Sequence, residues 1–333
     1  MFPELGRGMV NLFSRMIVGI TVRMPRWFVR WISRRYVAGP TLDDAIKVMK
    51  RLQKEQACFT IDVLGEEIST LEEATFFLEE YQRVIAGIVD NNLDANLSIK
   101  PTAFGLLIDK EEGMANIERL VRNADEHDMF VRLDMEDHRV TQDTIQVVLD
   151  LHNNGITNVG CVLQGRLHRT LDDIKAVEKQ LASAADFRIC KGIYLESEDI
   201  AYTSRQAIIS ATNACIDAMI ASGSYLAIAS HDYPVINYAL KSLAAAGMGP
   251  DMDDPRNNAA KPRPSKGPGY EFQMLLGVRG PLRRKLRKAG HKTRVYIPYG
   301  EKWYEYSIRR LRENPTIATQ VMKAIFMPWS NRP

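Results

Sequence analysis

The chain has 333 residues, 45% apolar and 26% charged, with a formal net charge of +3. That composition describes an ordinary globular protein, excludes disordered and collagen-like classes, and at this length suits one large barrel or two medium domains. The charge is unevenly placed: residues 1–37 hold seven arginines against Glu4, residues 255–294 hold twelve Lys/Arg against Glu271, and the remainder is acidic. Two basic segments on an acidic body suit an anionic partner, either a membrane surface or a nucleic acid.

No run approaches the ~18 uninterrupted apolar residues of a spanning helix. The nearest, Met9 to Trp31, is broken by Arg15, Arg23, Pro25, Arg26 and Arg30. A secretory signal is not expected, although the Arg-rich, acid-poor start is compatible with a mitochondrial transit peptide. Cys58, Cys161, Cys190 and Cys215 form no CxxC pair and read as reduced core residues of an intracellular protein. The six histidines show neither HxxxH nor HxH spacing, so no metal site is expected.

Residues 1–57 read as a helical arm, basic at its start, with Leu42–Gln53 an amphipathic helix opened by Thr41. Eight β-rich runs follow: Cys58–Val63, Ala95–Lys100, Phe130–Asp134, Val159–Gln164, Phe187–Lys191, Leu226–Ser230, Tyr270–Leu275 and Thr293–Ile297. Helical stretches separate them. In Glu72–Val89, residues Ala74, Phe77, Leu78, Tyr81, Val84 and Ile85 form one apolar stripe. Met114–Ala124, Thr141–Leu151, Leu171–Leu181, Gln206–Ala221 and Tyr233–Ala246 read alike. Eight strand–helix alternations predict a (β/α)8 barrel over residues 58–333. The absence of GxGxxG and GxxxxGK[ST] weighs against a doubly wound sheet. Residues 247–269, rich in Gly, Pro and charge, read as a mobile loop inserted before the seventh strand.

Barrels of this kind work at the C-terminal ends of their strands. Those ends carry Asp62 to Glu66, Lys100, Asp134 to Asp137, Gln164, Lys191 to Tyr194, Ser230 to Asp232, Gln273 to Leu276 and Tyr296 to Tyr299. Charges such as Lys100 and Asp134 at inward-facing strand ends indicate a site. In the following helix, Tyr306, Arg309, Arg310 and Glu313 share one face. Adjacent arginines can grip a carboxylate; the plainer reading is a solvated face with an Arg309–Glu313 ion pair.

The segments FTIDVLGEE, LSIKP, FVRLDMED, VGCVLQ, FRICKGIY, SHD, YEFQMLLG and RVYIPYGEKWYEYSIRRLREN, in this order, resemble the proline dehydrogenase family, flavin enzymes of proline catabolism. The resemblance covers about residues 37–315, with FVRLDMED and the last segment the most specific. It implies a distorted (β/α)8 barrel preceded by N-terminal helices. It also implies a catalytic set of Lys100, Asp134, Tyr296, Arg309 and Arg310, in which Lys100, Arg309 and Arg310 bind the proline carboxylate. Tyr194, Leu275 and Tyr306 would complete the substrate pocket, and Glu66 would gate it by pairing with Arg309. FAD would be held by Gln164, Arg188, Cys190, Gly192, Arg205, Ser230, His231, Gln273 and Glu313.

The implied reaction is hydride transfer from C5 of L-proline to flavin N5, giving 1-pyrroline-5-carboxylate, with electrons passed to a membrane quinone. The chain has no room for the aldehyde dehydrogenase domain of bifunctional relatives, so a separate 1-pyrroline-5-carboxylate dehydrogenase is expected. Tyr296 disfavours 4-hydroxyproline, whose enzymes tend to carry a smaller residue there. The alternatives are a dehydrogenase of a related cyclic amino acid, such as hydroxyproline, and a non-catalytic membrane-binding barrel. Departures are KGIY for the usual KGAY, which places the bulk of Ile193 near the flavin or at the wall behind it, GRLHR after Gln164, and the long 247–269 insertion. The arginines of the start alternate with Trp27, Phe28, Trp31 and Tyr36, a membrane-interface composition without the motifs of nucleic-acid readers. The expected location is the cytoplasm, peripheral on the inner membrane, with a mitochondrial one open.

Overall fold

The computed structural model describes residues 26–250, 252–256 and 266–313. Eight parallel strands close into a barrel in sequence order: β1 Cys58–Val63, β2 Ala95–Ile99, β3 Val131–Leu133, β4 Val159–Gln164, β5 Asp186–Cys190, β6 Tyr225–Ala229, β7 Tyr270–Leu275 and β8 Thr293–Tyr299. Before the barrel come helices α1 Arg26–Ser33 and α2 Leu42–Gln53. Around it run α3 Leu71–Asp90, α4 Lys110–Asp125, α5 Thr141–Asn153, α6 Thr170–Leu181, α7 Arg205–Ala221, α8 Tyr233–Ala245, α9 Gly280–Lys288 and, after β8, α10 Trp303–Glu313. None of these helices is long and apolar enough to cross a membrane.

The strand-by-strand expectation holds, and its boundary shifts have local causes. β2 stops at Ile99 because Pro101 opens a 3-10 turn, Pro101–Phe104, for which Lys100 is the cap residue. β8 runs past Ile297 although Pro298 has no N–H. Pairing with β7 ends at Tyr296, so the missing donor faces no partner strand there. The Pro298 carbonyl instead accepts from Ala38 N–H at 2.9 Å. Helix starts follow their caps: Thr41, Asp109 and Ser204 each accept from a first-turn backbone N–H.

The apolar core lies between the strands and the helices. Phe59, Ile61, Leu97, Ile99, Val131, Leu133, Cys161, Leu163, Phe187, Ile189, Leu226, Ile228, Phe272, Met274, Val295 and Ile297 point outward into it. The alternate residues point inward, and most of them are polar, so the barrel interior is filled by a hydrogen-bonded charge network rather than by aliphatic layers.

The N-terminal arm crosses the C-terminal rim of β7, β8 and β1. Gly277, at φ +70°, leaves no room for a Cβ against the Arg35 backbone, and Gly300 N–H donates to Gly39 O at 3.0 Å. Val37 packs with Leu64 and Tyr306 in a small cluster, and α1 lies against α10. The arm is therefore part of the rim architecture, where the working face of such barrels lies. Of the 247–269 insertion, residues 251 and 257–265 lie outside the described residues. Its described ends are anchored rather than loose: Arg256 pairs with Asp254 at 2.8 Å and reaches Gly269 O, and Lys266 is buried beneath the barrel.

Candidate active site

Five of the candidate residues meet at the C-terminal mouth. Asp134 follows β3, and its backbone N–H still bonds Ile99 O at 2.8 Å, which fixes it to the rim. Its Oδ1 accepts from Ser98 Oγ at 2.6 Å and Arg188 Nη1 at 2.7 Å, and its Oδ2 accepts from the Tyr296 hydroxyl at 2.6 Å. Arg188, on β5, also donates from Nε to Gln273 Oε1 at 2.5 Å and lies 5.3 Å from the centre of the Tyr296 ring. Lys100 Nζ is 2.6 Å from Asp62 Oδ1 and 3.6 Å from Asp134 Oδ2.

The electrostatics of this cluster are asymmetric. Burial opposes the Asp134 charge, but Arg188, Lys100, Ser98 and Tyr296 outweigh it and hold its carboxyl below the usual range. Asp62 has fewer supports, and burial pushes it up against the opposing pull of Lys100. Burial works against the Lys100 ammonium, yet Asp62, Tyr296 and Asp134 keep it charged. Burial raises the Tyr296 phenol far above its ordinary value, so it stays a neutral donor.

A second group lines the β4–β6 rim. Gln164 ends β4 and donates from Nε2 to Glu136 O at 2.8 Å; Cys190 ends β5 with its thiol toward Leu163 O at 3.7 Å. Gly192 has φ +92°, and a Cβ there would strike Arg166 and Gln164 Oε1. Ser230 Oγ accepts from Asp232 N–H, Lys191 is ion-paired to Asp232, and Arg205 at the start of α7 is 3.3 Å from the same carboxylate. His231 Nε2 accepts the Leu275 backbone N–H at 3.0 Å, which makes Nδ1 the protonated nitrogen of the neutral ring.

Other candidates sit elsewhere. Tyr306 is buried against Val37 and Leu64 in the rim cluster. Tyr194 is half-buried in the loop after β5, where its carbonyl accepts from Arg166. Glu66 is half-buried in the loop after β1. The next residue, Glu67, bonds Thr102 Oγ1 through its N–H at 2.9 Å and Arg139 through its carboxylate at 2.5 Å. Arg309, Arg310 and Glu313 fall on α10, but their side chains lie outside the described residues. Ile193 is exposed at the rim.

Asp62 and Glu136 lie in the strand-end segments but carry no predicted role, and neither do Ser98, Arg132, Asp186, Glu271 and Arg294. The signal was present: Thr60–Asp62, Asn96–Ser98–Lys100, Arg132–Asp134, Asp186–Arg188, Glu271–Gln273 and Arg294–Tyr296 each place polar residues two apart in a strand.

The family model "Proline dehydrogenase" matches residues 45–323. This chain belongs to the proline dehydrogenase family. It is 33% identical over 293 residues to proline dehydrogenase 1 of Bacillus subtilis subsp. natto, covering 88% of this chain and 90% of the relative. It is 29% identical over 298 residues to the proline dehydrogenase of Deinococcus radiodurans, with 88% and 90% covered. Among solved structures, proline utilization A from Bdellovibrio bacteriovorus superposes with a TM-score of 0.73 at 21% identity, covering 84% of this chain and 32% of that one. The chain thus spans about a third of that larger protein, and the likeness extends to the barrel fold of this proline dehydrogenase family member.

Proposed function

We propose that this family member oxidises L-proline to 1-pyrroline-5-carboxylate with FAD as its cofactor, passes the electrons to a membrane quinone, and leaves the product to a separate dehydrogenase. The observation that carries this reading is the paired charge of the mouth. Lys100, held charged, stands beside an Asp134–Arg188–Tyr296 cluster at the strand ends of one barrel. The residues present also fit a flavin. Among the described residues Arg188 Nη2 is buried without a hydrogen-bond partner, so one strong donor remains for a ligand atom. Gly192 brings backbone to the rim where no side chain fits.

When bound, FAD would supply the two-electron hydride acceptor. Gln164, Arg188, Cys190 through its backbone, Gly192, Arg205, Ser230, His231, Gln273 and Glu313 would hold it. Lys100, with Arg309 and Arg310 from α10, would bind the substrate carboxylate and fix the ring. Asp134 and Tyr296 would form one wall, Tyr194, Leu275 and Tyr306 would complete the pocket, and Glu66 would close on Arg309. A partly enclosed site strengthens each of these charge contacts relative to water.

A membrane surface would be met by the arm. Trp27 is 71% exposed and Trp31 48%, beside exposed Arg26, Arg30, Arg34 and Arg35. Residues 1–25 lie outside the described residues.

Purified protein should be yellow, and anaerobic L-proline should bleach its flavin band while 4-hydroxyproline does so poorly. A colourless protein that cannot be reconstituted with FAD overturns the reading.

A further inference from the structure

Two carboxylates flank the Lys100 ammonium, and they are not equivalent. Asp134 is already shared among Ser98, Arg188 and Tyr296, and it stands 3.6 Å from Nζ. Asp62 is 2.6 Å from Nζ and its side chain is 1% exposed. It is inward-facing on β1, level with Ser98 of β2 on one side and Pro298 of β8 on the other. Closed-barrel register therefore holds the Asp62 carboxylate below Lys100, on the side away from the open mouth.

A lysine side chain is a flexible stem with a compact charge, and burial strips the proton from an ammonium that lacks an anionic partner. Lys100 meets both hazards. It is turned inward, and a second carboxylate stands close enough to draw it into the Asp134 cluster. The charged and titratable groups around it are Asp62 on β1, Asp134 and Glu136 after β3, Tyr296 on β8, Tyr81 on α3, and Arg188 on β5 behind Asp134. Of these, Asp62 makes the shortest contact with the ammonium.

We propose that Asp62 is a positioning residue, which keeps the Lys100 ammonium charged, separate from the Asp134 cluster and facing the mouth, where it can receive the substrate carboxylate. The inference rests on the proline dehydrogenase reading and assigns Asp62 no contact with substrate or flavin. In this arrangement Asp62 determines affinity for the carboxylate, whereas Asp134 belongs to the wall of the substrate pocket and Arg188 to the flavin side of the mouth.

The test uses the full chain loaded with FAD. Asp62→Asn should retain flavin and keep kcat within about threefold, while KM for L-proline rises about ten- to a hundredfold. Ki for cyclopentanecarboxylate, an unreactive carboxylate of similar size, should rise in parallel. The kcat/KM of the variant should also fall toward alkaline pH, because Lys100 without its closest anion loses its proton at lower pH. An unchanged KM and Ki overturns the proposal, and so does a fall in kcat and flavin content without a change in Ki. Lys100→Met and Asp62→Asn/Lys100→Met complete the cycle: once the ammonium is gone, loss of Asp62 should raise KM no further, and an additional rise overturns the proposal. A wild-type protein that does not oxidise proline would refute the functional reading itself, before any variant is compared.

Discussion

The two ends of the barrel interior are built from the same residue types and behave differently. At the closed end, Glu271 accepts from Arg294 Nε at 2.7 Å, from Gln273 Nε2 at 2.5 Å and from the Tyr225 hydroxyl at 3.0 Å. Beside it Asp186 is ion-paired to both Arg132 and Lys266, and the Lys266 ammonium lies 4.0 Å from the Phe130 ring centre and 4.5 Å from that of Tyr225. At the open end, Lys100, Asp62, Asp134 and Arg188 use comparable pairs but leave the Arg188 Nη2 donor unused. Gln273 joins the ends, giving to Glu271 below and accepting from Arg188 above. Buried charge can thus close a barrel or equip it: the Glu271–Arg294 and Asp186–Arg132 pairs are engaged with one another, with Asp94 Oδ1 beside them lacking a hydrogen bond among the described residues, whereas the open end keeps a free donor on Arg188.

The comparison is broken most forcefully from below. Arg294→Met leaves the Glu271 carboxylate buried without its cation, which costs about 3–5 kcal/mol. A fall in Tm on the order of 10 °C is expected, with kcat/KM per folded molecule nearly unchanged. Differential scanning calorimetry with flavin titration measures both. A loss of activity at unchanged Tm would show that the lower layer tunes the mouth rather than closing the barrel.

The acid response of the same pair comes next. Burial opposes the Glu271 charge, but Arg294 more than offsets it and lowers the carboxyl from 4.5 to about 2. A depressed folded value stabilises above the unfolded one and is lost as pH falls through the folded one, so this contribution disappears between about pH 4.5 and 2. The shift corresponds to something on the order of 3 kcal/mol. Glu271→Gln should flatten the urea-unfolding stability curve across that window.

How far this distinction was legible in the sequence depends on the residue. Strand order, the barrel and most rim residues followed from the alternation of apolar runs and helices, because each strand buries its outward face. Lys100 and Asp134 were visible as charges at strand ends. Arg294 was not: in RVYIPY it reads as one more member of a basic segment, and only the β7–β8 register, which sets it level with Gln273, brings it to Glu271. Lys266 likewise falls in a stretch whose composition suits a loose insertion, whereas it is anchored by Asp186, 80 positions earlier. Tyr306 shares a helix face with Arg309 in sequence, and its packing against the arm residue Val37 is a contact that helix periodicity does not show. Long-range partners decide these cases, and periodicity carries no information about them.

From above, Lys100→Met should lower kcat/KM for proline about a hundredfold, as expected for loss of a charge-assisted contact to a carboxylate. Stability should change little. Asp62, left without its ammonium, is one layer below the mouth, and burial already pushes its carboxyl up toward the neutral form, whereas the Glu271 carboxyl is held low, so Asp62 takes a proton more readily than Glu271. Anaerobic flavin reduction gives the first quantity and thermal unfolding the second. Equal losses of stability at Lys100 and Arg294 would erase the contrast between the two ends.

The smallest effect makes the sharpest comparison. Tyr296→Phe keeps the ring near Arg188 and deletes only the hydroxyl that donates to Asp134 at 2.6 Å. One hydrogen bond to a charged acceptor contributes roughly 1.5–3 kcal/mol, and Ser98 and Arg188 remain to offset part of the loss, so KM should rise about tenfold or less. Asp134 would also lose one of the groups that hold its carboxyl low, so its pKa should move up toward the ordinary range. Any acid limb of kcat/KM that reports Asp134 should then move to higher pH in the variant, whereas a hydroxyl that merely packs would leave the limb in place. A Phe variant with both KM and acid limb unchanged would mean that the mouth, like the closed end, uses its hydrogen bonds for structure alone.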